Sequence, residues 1–403
     1  MSHEAPMNRG SIFSVFMTFL KLGLTSFGGP IAHLGYFRKE CVVRQGWVND
    51  SQFSQLLAIC QFLPGPASSQ LGFALGLIRA GWLGAIVAFI AFTLPSVLLL
   101  LGFATILPLL SNVAGEAIIH GLKLVACVVV ADAVLDMANK LCPDLRRKMI
   151  AVFAVVSLML LNWIGAQLIV VFAGAIAGLL FCRDGAMTSE SIVHVSYGRF
   201  MGLFLFSIFL VLFLLLTVFS QSTILGHIAA VFYQVGSMVF GGGHIVLPLL
   251  ETGVVNTGWV TEADFLAGYG ASQAIPGPMF AFSAYLGAII PTAYSPWLVS
   301  FIALLFIFLP GFLLISAILP WWQRLCHYPN IHYGVQGINA AVVGLLVAAL
   351  FDPIFISGVQ TKVDFAIVVM GFTLLRLLKC SPLYVVLLCV TLSLGITHIM
   401  ELV

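Results

Sequence analysis

Two short helix-breaking elements occur twice in this chain, and their backbone groups are the strongest candidates for chemistry. Phe27-Gly28-Gly29-Pro30 returns as Phe240-Gly241-Gly242-Gly243, and Gln61-Phe62-Leu63-Pro64-Gly65-Pro66 returns as Gln273-Ala274-Ile275-Pro276-Gly277-Pro278. Pro-Gly-Pro ends one helix and suits the first turn of the next. The new helix then presents free N–H groups and the positive end of its dipole, which favour an anion. A proline kink packed inside a bundle is the alternative, but duplication together with the preceding glutamine favours a site.

Polar side chains near these breaks are more numerous in the first copy. Ser68 and Ser69 follow the first Pro-Gly-Pro, whereas Met279 and Phe280 follow the second. A histidine follows each Gly-Gly pair and could donate to an oxyanion or carry a proton, although an ordinary interior histidine is the alternative. The predicted substrate-binding residues are Lys21, Gly28, Gly29, His33, Gln61, Gly65, Pro66, Ser68, Ser69, Gly241, Gly242, His244, Gln273, Gly277 and Pro278.

Charged residues are rare enough that each one calls for a role. Arg38, Glu40, Arg44 and Arg79 are predicted to form an anion funnel and gate at the cytoplasmic mouth, and charges that only set topology are the alternative. Within the apolar runs a charge costs at least about 2.5–3.5 kcal/mol at a helix centre. The residues predicted to couple transport to an ion are therefore Glu116, Lys123, Asp132 and Asp136. A structural ion pair of the lysine with either Glu116 or Asp132 is the alternative.

The composition is that of a polytopic membrane protein. Of the 403 residues, 61% are hydrophobic and 8% are charged, whereas soluble domains carry about 25% charged residues. The formal net charge of +2 does not indicate a basic surface for binding nucleic acid. The chain contains no Gly-Lys pair for an ATP-binding loop, no H-E-x-x-H and no C-x-x-C, so no cofactor and no metal are predicted.

The breaks divide the chain into two repeats. The first covers residues 1–182 and the second covers residues 222–403, and residues 183–221 form a cytosolic linker followed by one unmatched transmembrane helix. Each repeat contains a helix–Pro-Gly-Pro–helix unit and then a long helix with a central proline, Pro95 or Pro310. Corresponding residues lie between about 212 and 216 positions apart, and Lys123 corresponds to Asn339.

Lysine and arginine occupy complementary places in the two repeats. Arg38, Lys39 and Arg44 follow the first Gly-Gly, whereas the matching stretch after the second Gly-Gly has acidic residues and no basic ones. Because positive loops remain cytoplasmic, the repeats are predicted to have inverted topology. The predicted fold is an all-α polytopic membrane protein with re-entrant or broken helices at both elements. The N-terminus is predicted to be cytoplasmic and the C-terminus periplasmic.

At these residues the chain resembles the chromate ion transporter (CHR) family, as a long-chain, two-domain member. The resemblance rests on Phe27-Gly28-Gly29-Pro30, His33, Arg38, Glu40, Arg44, Trp47, Pro64-Gly65-Pro66, Gly72, Gly76 and Pro95. It implies efflux of chromate across the bacterial inner membrane, chromate resistance, and sulfate as a structural competitor. The second repeat departs from this pattern because Gly243 replaces the proline and the arginines are missing.

The predicted partners are a small oxyanion and the lipid bilayer, and the oligomeric state, including a homodimer, is left open. Two other functions compete with chromate export. The first is an uptake carrier for sulfate or another oxyanion, which would depend on cotransported cations. The second is a membrane-embedded enzyme acting on a lipid phosphate, which would need converging Asp, His or Arg side chains that the sequence scarcely offers.

Overall fold

The structure, a computed structural model, describes residues 11–27, 29–110, 112–161, 166–183, 195, 197–220, 223–240, 246–325 and 329–402. This part of the chain is almost wholly helical and contains no strand. The helices of its first half are α1 (Ile12–Thr25), α2 (Gly29–Phe37), α3 (Asp50–Phe62), α4 (Ala67–Ile106), α5 (Val113–Leu141), α6 (Leu145–Leu160) and α7 (Ala166–Phe181). A π-helical turn, Arg38–Arg44, continues α2.

A single long helix, α8 (Arg199–Phe219), precedes the second half. The helices that follow are α9 (Ile224–Met238), α10 (Val246–Val254), α11 (Glu262–Gln273), α12 (Phe282–Ile289), α13 (Pro296–Ile318), α14 (Trp322–Leu325), α15 (Pro329–Ala349), α16 (Ile356–Gly358), α17 (Lys362–Phe372) and α18 (Pro382–Leu402). A 3₁₀ turn, Met279–Ala281, leads into α12.

Five helical segments of the described chain are long and apolar enough to cross a membrane, namely Ala67–Leu109, Val113–Leu141, Arg199–Phe219, Pro296–Trp321 and Asn330–Gly358. The prediction of an all-α polytopic membrane protein is confirmed. The longest segment holds two helices, because Ala80 and Gly81 leave the helical conformation and Gly81 has φ +68°. We therefore call residues 67–79 α4a and residues 82–106 α4b.

The chain reverses direction between α1 and the segment that follows it. Lys21 of α1 lies 3.4 Å from Glu40, and the amide of Gln45 donates to the Thr18 hydroxyl at 2.9 Å. The residue farther from Phe27 before it, Thr18, contacts the residue farther from Phe27 after it, Gln45. This order of contacts shows that α1 and the segment after it run antiparallel. This is a helical hairpin, the local geometry that a re-entrant segment requires.

Three more hairpins follow the same design. Arg79, at the end of α4a, lies 5.7 Å from the ring centre of Trp47, which precedes α3. In the second half, the ring of His227 in α9 contacts the ring of Trp259, which follows α10, and the ring centres are 4.8 Å apart. The Tyr285 hydroxyl of α12 donates to the carbonyl of Asp264 in α11 at 2.8 Å. The described segments on either side of each of the four duplicated breaks thus form a hairpin.

Close backbone packing holds the first helix of each half against its proline-kinked helix. A Cβ on Gly23 would collide with the carbonyl of Phe92 in α4b, and a Cβ on Gly236 would collide with the carbonyl of Ile307 in α13. These carbonyls lie just before Pro95 and Pro310, where the missing N–H interrupts the helix ladder. Glycine lets the neighbouring helix approach that irregular backbone.

The last helices are exchanged between the halves. Helix α5 packs against α17 and α18, whereas α15 packs against α6 and α7. Glycines permit both approaches: Gly121 of α5 faces the backbone of Val390, and Gly337 of α15 faces that of Gly174. Two polar links cross the α5 contact, His120 with Asp364 at 2.8 Å and Arg376 with Asp132 at 3.2 Å. Each half therefore depends on the other to complete its packing.

Helix α8 lies at the edge of the bundle. Gly202, at its first turn, packs against the carbonyl of Ala317 in α13 and is the only residue of α8 that is buried. Farther along, the hydroxyl of Tyr233 in α9 donates to the Phe209 carbonyl at 3.0 Å. A helix this apolar and this exposed is what a lipid-facing span requires.

Candidate functional site

The hairpin tips of the two halves are joined by backbone hydrogen bonds. The N–H of Gly65 donates to the carbonyl of Val239 at 2.7 Å, and the N–H of Gly277 donates to the carbonyl of Ser26 at 3.0 Å. Val239 and Ser26 immediately precede the phenylalanines of the two Phe-Gly-Gly elements. Each Pro-Gly-Pro therefore binds the end of the first helix of the opposite half, and the exchange is reciprocal.

Side chains of the first half add two more hydrogen bonds between the halves. The Gln70 amide donates to the carbonyl of Gly311, beside the proline kink of α13, at 3.1 Å. The Ser96 hydroxyl, beside the kink of α4b, donates to the carbonyl of Pro276 at 2.8 Å. Irregular backbone at membrane depth must be satisfied by protein or cavity water. Here two side chains of the first half satisfy irregular backbone of the second. The sequence predicted the breaks but assigned no role to Gln70 or Ser96.

Both Pro-Gly-Pro glycines adopt a conformation that only glycine tolerates without strain. Gly65 has φ +123° and Gly277 has φ +104°. A Cβ on Gly65 would meet Gln70 and the Cα of Gly311, whereas a Cβ on Gly277 would meet the Ser96 hydroxyl. Each glycine therefore provides both the positive φ of the break and the N–H that contacts the opposite half.

The first half provides an unfilled polar helix start. Helix α4a begins after Pro66 without a side-chain cap, so its first N–H groups are free of such a partner. Ser68, Ser69 and Gln70 occupy its first turn and are buried. The hydroxyl of Ser69 and Oε1 of Gln70 are buried without a hydrogen-bond partner. Buried polar groups are normally satisfied, so this turn has free capacity for a polar ligand.

The matching turn of the second half is apolar. Met279, Phe280 and Ala281 are buried, and the Phe280 ring packs against Phe308 of α13 with centres 5.8 Å apart. Gln273 turns back on its own helix, because its amide donates to the Ser272 hydroxyl at 3.2 Å. The helix start here is packed with hydrocarbon rather than lined by donors.

His33 is fully buried beside the first break. Its Nε2 lies 3.1 Å from the carbonyl of Ser26, and its Nδ1 has no hydrogen-bond partner. Because a carbonyl only accepts, Nε2 carries the proton and Nδ1 of the neutral ring is an acceptor. The ring therefore holds the Ser26 carbonyl in place, and it becomes a donor on its Nδ1 side only when protonated.

Of the other predicted residues at the first break, Gly29 begins α2. Gly28, Gly241, Gly242 and His244 lie outside the described residues.

Three of the four predicted funnel residues form ion pairs. Arg38 bonds to Asp50 at 2.7 Å, and Arg44 and Lys21 both contact Glu40, at 2.9 and 3.4 Å. The side chain of Lys21 is 53% exposed and that of Glu40 is 12% exposed. Partial burial acts to raise the pKa of the Glu40 carboxyl, but the pKa lies below its usual value because hydrogen bonds and the nearby cations favour the carboxylate. Lys21 thus has an acidic partner that sequence proximity did not reveal.

The predicted coupling residues on α5 do not form the ion pairs considered from the sequence. The interpretation that pairs Lys123 with Asp132 is wrong, because Asp132 pairs with Arg376 of the second half. Within the described chain no ion pair joins Lys123 to Glu116, which is exposed. Asp136 pairs with Lys140 one turn along the same helix at 2.7 Å.

A cavity of about 450 Å³ lies between α2, α3, α5 and α15. It reaches from Gln61 and Phe62, just before the first Pro-Gly-Pro, to Lys140 near the end of α5. Its lining residues are Leu34, Ala58, Gln61, Phe62, Asp136, Met137, Lys140, Leu141, His332, Val335, Gln336 and Asn339. The cavity therefore connects one end of the helix bundle to the first break.

Comparison with known proteins identifies relatives along nearly the whole chain. The chain is 29% identical over 342 residues to a probable chromate transport protein of Synechococcus elongatus, covering 82% of each chain. It is 25% identical over 361 residues to a chromate transport protein of Pseudomonas aeruginosa, covering 84% of this chain and 80% of the relative. It is 24% identical over 362 residues to a chromate transport protein of Cupriavidus metallidurans, covering 86% and 83%. No solved structure matches the chain.

The sequence profile described as Chromate transporter matches the chain twice, over residues 13–179 and residues 226–394. The two matches exclude α8 and the linker before it and contain all four hairpins. The relatives are named as transport proteins rather than enzymes. The resemblance drawn from the sequence is confirmed, and this chain belongs to the Chromate transporter family.

Proposed function

We propose that this protein exports chromate from the bacterial cytoplasm across the inner membrane and thereby confers chromate resistance. The single observation that carries the proposal is the first turn of α4a, where the unpartnered Ser69 hydroxyl is buried beside free helix N–H groups. A tetrahedral dianion is the ligand that such a turn favours. The relatives named for chromate transport supply the identity of the anion.

In this mechanism the anion is bound by backbone donors rather than by a fixed charge. The free N–H groups after Pro66 and the hydroxyls of Ser68 and Ser69 surround the anion, while the N–H of Gly65 remains committed to the opposite half. Lys21 raises the local anion concentration from the side of α1. The apolar start of α12 contributes shape and excludes water, and it supplies few donors.

The membrane potential is sufficient to drive export. Moving one charge through 100 mV is worth about 2.3 kcal/mol, so a dianion leaving a negative interior gains about 4.6 kcal/mol. That free energy supports a gradient of about a thousandfold. ATP is not required, and a coupled proton or other cation is optional. Uptake of the same dianion would need cotransported cations, for which Glu116, Asp132 and Asp136 are the available acids.

Uptake of chromate into everted vesicles tests this function. We expect accumulation that is slowed when valinomycin and potassium collapse the potential, and competition by sulfate that is stronger than competition by phosphate. Sulfate accumulation that depends on a cation, with no effect of the protein on chromate resistance, would instead identify an uptake carrier. Turnover of a lipid phosphate by the detergent-solubilised protein, without any gradient, would identify an enzyme.

We also propose that the two halves have opposite orientations, with the N-terminus cytoplasmic and the C-terminus periplasmic. The four matched hairpins and the single unmatched helix α8 support this proposal, since one extra crossing inverts the second half. Reporter fusions at Arg44 and Thr257 should lie on opposite sides of the membrane. Fusions reporting the same side would reject inversion.

A further inference from the structure

The two halves differ in how closely their second hairpin contacts the long helix beside it. Helix α3 of the first half is separated from α15 by the cavity of about 450 Å³. Helix α11 of the second half packs directly on α5. Residues 212 positions apart correspond in α3 and α11, and residues 216 positions apart correspond in α5 and α15. The open contact and the closed contact therefore involve corresponding helices.

The closed contact has no space for a ligand. The Cα of Gly270 in α11 lies so close to the carbonyl of Leu122 in α5 that a single methyl group on it would collide. Ala267 and Ala271 bury their side chains against Leu122 in the same contact. The small residues of α11 thus let the two helices pack closely over a full helical turn.

The open contact is wide at the corresponding positions. Ala58, which corresponds to Gly270, lines the cavity wall instead of touching the opposite helix. Gln61, Gln336 and Asn339 place three amide groups on the wall, and Oδ1 of Asn339 is buried without a hydrogen-bond partner. The NH2 groups of such amides can donate to an oxyanion without carrying a charge, so the anion is not trapped.

We propose that this cavity is the open access path to the breaks, with Gln61, Gln336 and Asn339 as its oxyanion ligands, and that the α5–α11 contact is the closed gate of a second path. The inference rests on the proposed transport function for the identity of the ligand. The structure is then the state that is open at the Lys140 end of the bundle. In the alternate state α11 separates from α5 and α3 closes on α15.

The second path would be lined by a more strongly charged set of residues than the first. Glu116, His120 and Lys123 correspond to His332, Gln336 and Asn339. In the present state His120 is held by Asp364, and Lys123 lies against Gly358. Lys123 is thus assigned a role as a lining residue of the second path, and not as a member of a structural ion pair.

Cysteine reactivity tests this assignment without any transported ion. In a background lacking the native cysteines, Asn339→Cys and Lys123→Cys form a matched pair of corresponding positions. A minor conformation holds about 0.1–10% of the population, so an anionic thiol reagent should modify Asn339→Cys at least about tenfold faster than Lys123→Cys. Equal rates, or faster modification of Lys123→Cys, would overturn the gate assignment.

A wedge at the closed contact provides the second measurement. Gly270→Ala places a methyl group where none fits, so it should slow the modification of Asn339→Cys and accelerate that of Lys123→Cys. Size-exclusion chromatography in detergent checks that the variant is folded. Unchanged rates in a folded Gly270→Ala variant would overturn the proposal, and the first comparison stands without this variant if it fails to fold.

Protection by anions separates the ligand from the gate. Chromate should slow the modification of Ala58→Cys, which lines the cavity but is not one of the three proposed ligands, with sulfate, molybdate and phosphate as comparison anions. Protection by sulfate but not by chromate would keep the binding site and reject chromate as the substrate. Absence of protection by all four anions would reject the amide groups as oxyanion ligands, even if the rates without anions still support the gate.

Discussion

The two Pro-Gly-Pro breaks share a backbone but differ in the side chains that follow them. Gly65 and Gly277 both have positive φ and make equivalent hydrogen bonds to the opposite half. After that point Ser68 and Ser69 line one helix start, and Phe280 fills the other. The reciprocal backbone contact is therefore common to both halves, whereas the buried hydroxyls are concentrated in the first. The contact needs both copies of the break, and the side chains that follow it differ between the copies.

The strongest way to test the shared part is to disturb the two glycines. Gly65→Ala and Gly277→Ala each force alanine into a strained conformation costing about 1–3 kcal/mol, and each adds a collision at the opposite half. We expect both to abolish transport and to lower the midpoint of thermal unfolding in detergent. Gly65→Ala should be the more severe, because its added methyl meets the backbone of Gly311 as well as the Gln70 amide, whereas the closest atom to that of Gly277→Ala is a side-chain hydroxyl.

A second-site change sharpens this comparison. The methyl of Gly277→Ala collides with the Ser96 hydroxyl, so Ser96→Ala should restore part of the lost thermal stability. The same Ser96→Ala change should give no recovery in Gly65→Ala. Equal recovery in both would contradict the contacts described at the two breaks.

The divergent part is tested at Ser69 and its counterpart Ala281. A hydrogen bond to a charged group contributes about 1.5–3 kcal/mol, so Ser69→Ala should raise the KM for chromate about tenfold or more. Ala281→Ser and Met279→Leu should leave the KM nearly unchanged because the second helix start is apolar. Initial rates in everted vesicles measure the effect, and equal losses from Ser69→Ala and Met279→Leu would end the idea of a site in the first half.

The smallest effect is expected at Lys21. An exposed ion pair is worth at most about 1 kcal/mol, so Lys21→Ala should weaken chromate transport by only a few-fold and leave thermal unfolding unchanged. Glu40→Gln removes the negative partner and should instead strengthen chromate binding. If both changes weaken transport equally, the pair is structural and Lys21 has no part in attracting the anion.

Local structure was largely predictable from residues that act on the backbone next to them. Pro64 and Pro66 interrupt one helix and start another, and Gly81 marks where α4a ends. The apolar runs predicted the long spanning helices, because hydrocarbon leaves the backbone no other way to satisfy its hydrogen bonds. These rules need only neighbouring residues, and that is why they transfer directly from sequence to structure.

Contacts between distant segments were not predictable in the same way. Gln70 donates to a carbonyl 241 residues away, and Asp132 bonds to Arg376 at a separation of 244 residues. Nothing within one helix indicates such partners, and for Asp132 the nearer cation in sequence was misleading. The Lys21–Glu40 pair is intermediate: the hairpin interpretation brings the two segments together, but it does not fix their register.

The exchange of terminal helices has a consequence for how the protein is made. During synthesis α5 enters the membrane long before α17 and α18. Until those helices arrive, the face of α5 on which they pack is in contact with lipid or with an insertion factor. Its His120 and Asp132 side chains are then without the partners they have in the mature fold. Assembly of this contact is therefore completed only after α17 and α18 leave the ribosome, and truncation before α17 exposes polar groups in the half that was synthesised first.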